Sequence, residues 1–396
     1  MPTTLGYAEP LDDDFGDELF PSKIGGRPRW LDPTRPLAVD RVLCDECAKP
    51  MVLLMQLYAP EDEPADAFHR MLYVFICRNG SCHRAPASRC MRVLRSQLPE
   101  VNAVYEEKTP SDGDDRDGDC DSDVVWALAE RAKPAPLCAV CGLLGNKACS
   151  GCHKRHYCSR NHQVADWDAG HRAQCSDGTA APGSGAAHKN RQPNILYPEH
   201  IIASEEEPQD GSSDDDDDDD DNDDDSGNDV RPEDMAVVPV GGERVEDSEV
   251  EVDPAFLAFQ HRIRKNPDQV IRYARSPGTG EPAEPLFVGD AGRPESGIDI
   301  PDCEQCGAAR QFEFQIMPQM INYLGVDSAD PVSVDWGTLL VYSCPRSCAA
   351  APGGAAHTAE VVWRQAFSSH GIGQKYVRAF HGDDTAFTRQ FESLDV

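Results

Sequence analysis

The sequence predicts a mainly β protein of the α+β class, in which a β-rich domain is duplicated and its two halves are separated by a small insert and by acidic linkers. Three observations support this prediction. Strand-like apolar segments occur in two sets, one towards each end of the chain. Each set carries two pairs of cysteines, and two Asp-rich stretches lie between the sets. We therefore expect two similar β-rich halves.

The first half covers residues 1–110. Three segments, "VLLMQLYA", "RMLYVFICR" and "CMRVLRSQL", have the length and the apolar content of strands. One cysteine pair precedes the first of these strands, and a second pair follows the next strand. Together they are Cys44, Cys47, Cys77 and Cys82. Zinc ribbons clamp sheet elements with four cysteines in this way, so we expect a zinc site, with buried free thiols as the alternative.

Two acidic linkers carry most of the formal net charge of −33. Residues 112–123 include seven Asp and one Arg, and residues 205–253 include 24 acidic residues and two Arg, with eight consecutive Asp at 214–221. Such segments bury too little apolar surface to offset the entropy of ordering. We therefore predict disordered linkers at 111–123 and 176–253, and folded parts that are close to neutral.

The insert, residues 124–175, concentrates metal-binding side chains, and the stretch "CSGCHKRHYCSRNH" alone holds three Cys and three His. Eight side chains, arranged in pairs, are potential ligands: Cys138, Cys141, Cys149, Cys152, Cys158, His162, His171 and Cys175. Eight Cys and His ligands are enough for two tetrahedral Zn²⁺ sites. Because a four-ligand site leaves no position for water, we expect these sites to be structural rather than catalytic.

The second half, residues 254–396, repeats the pattern of the first. A helix is predicted in "DPAFLAFQHRIRKNPDQVIRYAR", where apolar residues up to Val270 and Tyr273 recur near helical spacing with a break at Asn266-Pro267. The strand-like segments "RQFEFQIM", "GTLLVYSC" and "AEVVWRQAF" follow. When Cys44 is aligned with Cys303, Gln56 falls on Gln315. We favour a duplication over chance similarity, and it predicts a further zinc site. Its four ligands are Cys303, Cys306, Cys344 and Cys348.

The cysteine content points to metal rather than to disulfides. The N-terminus lacks the basic and apolar regions of a secretory signal, so we expect a reducing location in the cytoplasm and nucleus. Sixteen cysteines there, many in Cys-x-x-Cys pairs, favour metal binding. We expect Zn²⁺ as the cofactor, two ions in the insert and one in each half, and we assign no role to Cys90 or Cys120.

Several classes of function are disfavoured. No apolar run approaches the roughly 18 residues of a membrane span, so we expect no membrane partner. The sequence has no P-loop, no Gly-x-Ser-x-Gly elbow and no His-Glu-x-x-His, and we expect no enzymatic activity. Direct nucleic-acid binding is disfavoured because the folded parts are not basic and the Asp run would repel phosphate. A protein-binding function remains.

The ligand spacing of the insert resembles a MYND zinc finger, with Tyr157, Gln163 and Trp167 at the places expected in that family. The resemblance implies interleaved ligands. One site would be Cys138, Cys141, Cys158 and His162, and the other Cys149, Cys152, His171 and Cys175. His162 departs from the many members with Cys there. The resemblance also implies short Pro-containing peptides as partners near Gln163 and Trp167, although Trp167 has packing of the small core as its alternative role.

The order of the parts resembles the programmed cell death protein 2 family, whose fungal relatives are twenty-S rRNA accumulation proteins and whose split domain is related to YwqG-like proteins. The resemblance rests on the finger and on "SKIGGRPRWLDP", "LCDECAKPMVLLMQLYAP", "FHRMLYVFICRNGSC", "NPDQVIRYAR" and "FEFQIMPQMINYLGVDSADPVSVDWGTLLVYSC". It implies a dedicated chaperone of a basic small-subunit ribosomal protein, the fifth in the universal naming, that supports 40S assembly and rRNA maturation. A MYND-type adaptor in transcriptional corepression or in the control of apoptosis and proliferation is the alternative.

An acidic linker suits a basic client, because a field of opposite charge speeds the approach of the two proteins. The simpler role of such a charge run is to keep the protein soluble. The sequence leaves both roles open for the Asp residues 214–221.

Overall fold

The structure is a computed structural model, and it describes residues 3–11, 19–108, 125–176, 178–179, 195–208, 253–275, 283–327, 330, 332–349 and 356–367. The predicted linker 111–123 and most of the predicted linker 176–253 lie outside the described residues, as do residues 368–396 of the second half. Within the described ranges, no helix has both the length and the apolar character needed to span a membrane.

The described residues form short helices and mostly antiparallel strands. In chain order the strands are β1 (Thr4–Glu9), β2 (Lys23–Ile24), β3 (Val52–Tyr58), β4 (His69–Ile76), β5 (Met91–Leu98), β6 (Tyr105–Lys108), β7 (Val125–Leu128), β8 (Lys147–Ala148), β9 (His156–Tyr157), β10 (His200–Glu206), β11 (Gln269–Tyr273), β12 (Gln311–Ile316), β13 (Thr338–Ser343) and β14 (Thr358–Gln365). The helices are α1 (Ala87–Cys90), α2 (Arg160–Asp166), α3 (Arg172–Ser176) and α4 (Pro254–Lys265). The helical pattern predicted to continue through Val270 and Tyr273 is corrected, because the chain leaves the helix at Asn266-Pro267 and these two residues lie in strand β11.

Ten of these strands close into one antiparallel barrel, which confirms the predicted mainly β class. The order around the barrel is β1, β10, β2, β3, β4, β5, β14, β13, β12, β11 and back to β1. The two halves of the chain meet where β5 pairs with β14 and where β1 pairs with β11. Because strands of one half are completed by strands of the other, the halves share a single barrel.

A β-bulge occurs at the same place in both halves. The ladder between β3 and β4 changes register between Leu53 and Met55. The ladder between β12 and β13 changes register between Phe312 and Phe314. These are equivalent positions when the first cysteines of the two halves are aligned. A bulge bends its strand and increases the local twist, so the two halves share a local geometry as well as a cysteine pattern.

The residue after each bulge is a glutamine whose side chain hydrogen-bonds to backbone groups that precede the cysteine pair. Gln56 Nε2 donates to the Pro21 carbonyl at 2.9 Å, and Gln56 Oε1 accepts from the Arg29 amide at 2.8 Å. Gln315 Nε2 donates to the Leu286 carbonyl at 3.0 Å, and Gln315 Oε1 accepts from the Leu286 amide at 2.8 Å. In each half a buried glutamine therefore holds the segment that precedes the cysteine pair against the barrel, and the amides of Arg29 and Leu286 are its equivalent partners in the two halves.

The predicted linker 176–253 is corrected at residues 195–208, which contain a barrel strand. β10 pairs with β1 from Ile201 to Glu206, and Ile202 is buried. The short apolar run "ILYPEHIIA" supplies the strand residues. Averaging composition over a long acidic segment hides so short a run, since a strand needs only about five residues.

The predicted start of the insert at residue 124 is corrected as well. β6 and β7 pair with each other, and Trp126 of β7 packs edge-on against His69 of the barrel strand β4, with ring centroids 4.9 Å apart. Residues 125–128 therefore belong to the surroundings of the barrel. The metal-binding part begins near Leu137, which forms a bridge with Leu144.

A buried ionic cluster joins the two halves of the barrel. Arg70 of β4 donates to both carboxylate oxygens of Glu313 in β12, at 2.5 and 2.8 Å. Arg275 contacts the same carboxylate at 3.4 Å and also pairs with Glu61. Because β4 and β12 are not neighbours in the sheet, the Arg70–Glu313 pair links the two halves across the barrel rather than along the sheet. Removing one partner would leave a buried charge uncompensated.

The insert packs against the barrel through residues 27–37. Trp30 Nε1–H donates to the Gly142 carbonyl at 2.8 Å, and the Leu144 amide donates to the Leu37 carbonyl at 2.9 Å. At Gly142, where φ is +73°, an added Cβ would lie 2.9 Å from the Cβ of Arg27. Only glycine combines that conformation with so close an approach. The buried apolar residues of the insert and of the barrel form one continuous core.

Candidate metal centres

The sixteen predicted ligands lie in four sets of four. Within each set, one ligand atom from every residue lies within 4.8 Å of the others. The sets are Cys44, Cys47, Cys77 and Cys82; Cys138, Cys141, Cys158 and His162; Cys149, Cys152, His171 and Cys175; and Cys303, Cys306, Cys344 and Cys348. The insert thus shows the interleaved grouping that the MYND resemblance implies.

The distances within the sets fit a tetrahedral zinc ion and exclude disulfides. Sγ–Sγ distances are 3.6 Å for Cys47–Cys77 and for Cys141–Cys158, and 3.7 Å for Cys344–Cys348. A disulfide needs about 2.05 Å. A Zn–S bond of about 2.3 Å places two sulfurs of a regular tetrahedron about 3.8 Å apart. Each set therefore has the ligand chemistry and the spacing for one Zn²⁺.

The two histidines of the insert present different ring nitrogens. His162 Nδ1 lies 3.2 Å from Cys158 Sγ and 3.5 Å from Cys138 Sγ. His171 Nε2 lies 3.4 Å from Cys149 Sγ and 3.7 Å from Cys152 Sγ. Either nitrogen of a neutral imidazole can bind zinc, so both histidines are suitable fourth ligands.

Helix α2 positions His162. Ser159 caps the helix, because its Oγ accepts the His162 amide at 3.3 Å, so the imidazole lies one turn from Cys158. The helix is held against β9 by Asp166, which accepts Tyr157 Oη–H at 2.7 Å and pairs with Arg155. Short elements with little apolar surface depend on such ties, and zinc would supply most of the remaining stability.

The Cys-x-x-Cys pairs share one backbone turn. In all four, the carbonyl of the first cysteine accepts the amide of the residue that follows the second cysteine, at 2.8 to 2.9 Å. That residue has a positive φ between 55° and 73°. The four residues are Ala48, Gly142, His153 and Gly307. This turn aims both thiols of a pair at one point, and sequence reasoning missed it. Gly142 and Gly307 carried a signal for it, since glycine favours positive φ, whereas Ala48 and His153 carried none.

The electrostatics of the thiols favour a bound cation. In the set of the second half, hydrogen bonding to the Ala308 amide lowers the pKa of Cys306 to about 7. In the same set, burial and the neighbouring sulfurs raise the pKa of Cys348 to about 12. Four adjacent thiols cannot all ionise together without a positive charge among them, and a divalent ion would stabilise all four thiolates.

The two cysteines without an expected role lie outside the sets. Cys90 is buried at the end of α1, and burial raises the pKa of its thiol to about 11. Its carbonyl accepts the Cys77 amide at 2.8 Å, so its backbone supports the ligand loop. Cys120 lies outside the described residues.

Each four-cysteine set of the barrel touches the opposite half of the chain. In the first set, the loop between the second pair of ligands reaches the second half: Gly80 N–H donates to the Val332 carbonyl at 3.0 Å. In the second set, the corresponding loop reaches the first half: Gln97 Nε2 donates to the Ser347 carbonyl at 2.9 Å, and Ser347 Oγ donates to Glu61 at 2.6 Å. Metal bound in one half would therefore stiffen contacts with the other.

The surface of the insert presents an apolar patch beside its second set. Trp167 is 37% exposed and packs edge-on against His171, with ring centroids 5.7 Å apart. Val164, one helical turn earlier, is 49% exposed. Gln163 is half-buried next to it. Trp167 thus both contacts a ligand ring and reaches solvent, so packing and peptide binding are compatible roles.

Comparison with known proteins agrees with this architecture. The family models for the programmed cell death protein 2 N-terminal domain, its C-terminal putative domain and the MYND finger match residues 2–112, 253–366 and 138–175, respectively. Programmed cell death protein 2 of Bos taurus is 36% identical over 92% of this chain and 96% of the bovine protein. The Mus musculus protein is 34% identical over the same shares.

A more distant relative is the probable 20S rRNA accumulation protein 4 of Schizosaccharomyces pombe, 25% identical over 87% of this chain and 92% of its own length. No solved structure matches this chain. The domain models match in the order of the two barrel halves and the finger between them, and the bovine and mouse relatives align over nearly the whole chain. The chain therefore belongs to the programmed cell death protein 2 family.

Proposed function

We propose that this protein acts in ribosome biogenesis as a dedicated chaperone of a basic small-subunit ribosomal protein, the fifth in the universal naming. The observation that carries the proposal is the likeness to a fission yeast protein named for 20S rRNA accumulation, which extends over 87% of the chain. A protein that escorts a small-subunit component would support 40S assembly and rRNA maturation, and it would work in the cytoplasm and nucleus.

The chemistry of the chain supports a binding role rather than catalysis. The four metal sets each offer four protein ligands, which leaves no coordination position for substrate or water. A free ribosomal protein is strongly basic and needs protection from nonspecific contacts until it is assembled. The acidic residues 205–253 offer such a client an attractive field. We propose no enzymatic activity and no direct contact with nucleic acid or membrane.

We propose that the chain binds four Zn²⁺, two in the finger and one in each half of the barrel. The ligand distances support one ion in each set. Zinc in the barrel would be structural, because its ligand loops hold the halves together. Its loss would therefore remove client binding by loosening the barrel, without any direct contact between metal and client.

A second candidate function is that of an adaptor that binds Pro-containing peptides at the finger, in corepression or in the control of apoptosis and proliferation. The exposed Trp167 favours it, since an aromatic face is a common platform for such peptides. The two functions use different surfaces. Substituting Trp167 by Ala should remove peptide partners of the finger and leave a ribosomal client bound.

Affinity purification of the tagged full-length protein with quantitative mass spectrometry tests the main proposal. We expect one small-subunit ribosomal protein at a near 1:1 ratio, and we expect it to remain after nuclease treatment. A matched purification of the Trp167→Ala variant separates clients of the finger from clients of the barrel. Recovery of many ribosomal proteins in equal amounts, or of none, would contradict a dedicated chaperone.

A further inference from the structure

The C-terminal part of β10 is paired on one side only. β1 pairs with β10 from Ile201 to Glu206, whereas β2 pairs only with His200 and Ile201. Within the part of the chain that the structure describes, no strand continues the β2 ladder towards Ser204. A closed barrel otherwise leaves no free strand edge. We call the backbone of residues 203–206 on the side away from β1 the β10 edge.

Backbone alternation shows which groups face the β10 edge. The Ile202 amide donates to the Ser22 carbonyl at 2.9 Å, on the side of β2. The Glu207 amide donates to the Thr3 carbonyl at 2.8 Å, on the side of β1. Amides of an antiparallel strand point alternately to its two sides. The amide of Ser204, two residues after Ile202, therefore points to the β10 edge.

The described residues before β2, residues 19–22, turn away from β10 and do not pair with the β10 edge. Ser22 contacts the strands on both of its sides. Its carbonyl accepts the Ile202 amide of β10, and its Oγ accepts the Tyr58 amide of β3 at 3.0 Å. Pro21 has no amide to donate, and its carbonyl accepts from Gln56 of β3. Phe20 stacks on Tyr58, with ring centroids 5.0 Å apart. Residues 20–22 thus follow β3 and do not extend the ladder along β10.

The charges around the β10 edge are acidic. Ser204, Glu205 and Glu206 are exposed in succession, so both faces of the strand reach solvent there. The loop after β3 also exposes Asp62 and Glu63. The sequence that follows β10 runs into the Asp-rich residues 209–225. An added strand here would lie beside the carboxylates of Glu205 and Glu206, which point to opposite faces of β10.

We propose that the β10 edge binds an extended, Lys- and Arg-rich segment of a partner protein as an additional strand. Backbone hydrogen bonds to the Ser204 and Glu206 peptide groups supply affinity, and the surrounding carboxylates select a basic sequence and speed its approach. The natural source of the segment rests on the proposed function, which makes it part of the unassembled ribosomal protein. The unpaired edge and its preference for a basic strand do not depend on the proposed function.

Fluorescence anisotropy with the full-length, zinc-loaded protein tests the proposal with two labelled peptides. One alternates Lys with Thr and Val over about ten residues, a typical strand length. The other has the same charge but Pro at every third residue, so that it cannot pair as a strand. We expect the strand-forming peptide to bind at least about tenfold more tightly. Equal affinities would overturn the proposal.

Two variants of one residue locate the binding site. Ser204→Pro removes the amide that faces the edge and leaves the charge unchanged, and we expect about tenfold weaker binding of the strand-forming peptide. Ser204→Ala keeps the amide and should bind like the parent protein. Thermal unfolding of both variants checks that they are folded. A folded Ser204→Pro variant with unchanged affinity would overturn the proposal, and if it does not fold, the peptide pair decides alone.

A third variant tests whether the chain covers its own edge. Residues 12–18, which lie outside the described residues, are replaced by a Gly-Ser sequence of equal length. We expect the affinity for the basic peptide to stay within about twofold. Binding that appears only after this replacement would show that the edge is occupied by the chain itself, and it would overturn the proposal. Client recovery in the purification described above reports separately on the proposed function.

Discussion

The amide of Gly80, in the ligand loop of the first half, donates to the carbonyl of Val332 in the second half at 3.0 Å. A Cβ at Gly80 would lie 1.9 Å from the Ser333 carbonyl oxygen. We therefore expect Gly80→Ala to lower the free energy of unfolding by about 2 to 3 kcal/mol, as other overpacked sites do. Chemical denaturation measures the change. Ser81→Ala, at an exposed position of the same loop, should have almost no effect, and a similar loss in both variants would contradict the expected clash.

The number of zinc ions bound per chain can be measured. Elemental analysis of the purified protein should return four Zn²⁺ per chain, and Cys303→Ala should return three because three thiolates hold zinc much more weakly than four. Cys90→Ala is the matched control, since Cys90 is buried but lies outside the four sets. Two zinc ions in the parent protein would restrict zinc to the finger.

The halves should associate when the chain is cut between them. We expect fragments 1–208 and 253–396, produced together, to elute as a 1:1 complex in size-exclusion chromatography, because β1 pairs with β11 and β5 with β14. A fragment 1–194, which lacks β10, should give much less complex. Two stable fragments that do not bind each other would contradict the shared barrel.

A strong zinc chelator should shift the fragment complex towards its separate parts. The ligand loops that contact the opposite half lose their support when the metal leaves. The Gly80→Ala fragment should dissociate at a lower chelator concentration than the Ser81→Ala fragment.

The stability of the protein should decrease as the pH is lowered, because Glu313 becomes protonated. Burial alone would raise its pKa, but Arg70 and Arg275 outweigh burial and hold the pKa near 2, below the ordinary 4.5. A carboxylate with a lowered folded-state pKa contributes stability that is present above its unfolded pKa and is lost as the pH falls from about 4.5 to 2. The difference corresponds to on the order of 3 kcal/mol.

Urea denaturation at pH 7, 4.5 and 3 checks this contribution in the parent protein and in Glu313→Gln. We expect the variant to be less stable at pH 7, because Arg70 loses its buried partner, and to show a smaller further loss below pH 4.5. Zinc ligands also titrate in acid, and comparing the two proteins removes this shared contribution. The exposed Glu304→Gln change is the control. Parallel pH profiles for Glu313→Gln and the parent would contradict the assignment.

The Asp run should act on the rate of association with a basic client. Replacing the eight Asp of residues 214–221 by Asn should lower the association rate constant and its salt dependence more than it changes the dissociation rate. Charges in water are screened beyond about 8 Å at physiological salt, so such a segment acts mainly on approach. Stopped-flow binding at two salt concentrations measures both rates, and an unchanged salt dependence would leave the run only a role in solubility.

The ligands and the strands β3, β4, β5, β12, β13 and β14 could be predicted because they depend on local patterns: apolar runs of strand length and closely spaced cysteines. β11 was predicted as helix, because Val270 and Tyr273 continue the apolar spacing of α4. Closure of the barrel could not, because strand order is set by contacts between distant residues such as Arg70 and Glu313. β10 was missed since two neighbouring isoleucines are a weak signal inside an acidic segment. The turn after each Cys-x-x-Cys pair could be predicted at Gly142 and Gly307, because glycine favours positive φ. It could not be predicted at Ala48, which adopts the same positive φ.

The place of β10 between β1 and β2 also sets an order of events during synthesis. β1 leaves the ribosome early, yet its partner β10 follows only after the finger has been made, and its other partner β11 only after the long acidic segment as well. At translation speeds of 5 to 20 residues per second, β1 waits roughly 10 to 40 seconds for β10. During that interval the finger can fold around its metal, whereas the N-terminal strands remain open to other chains. The nascent protein is thus exposed to mispairing at the end of the chain that is made first.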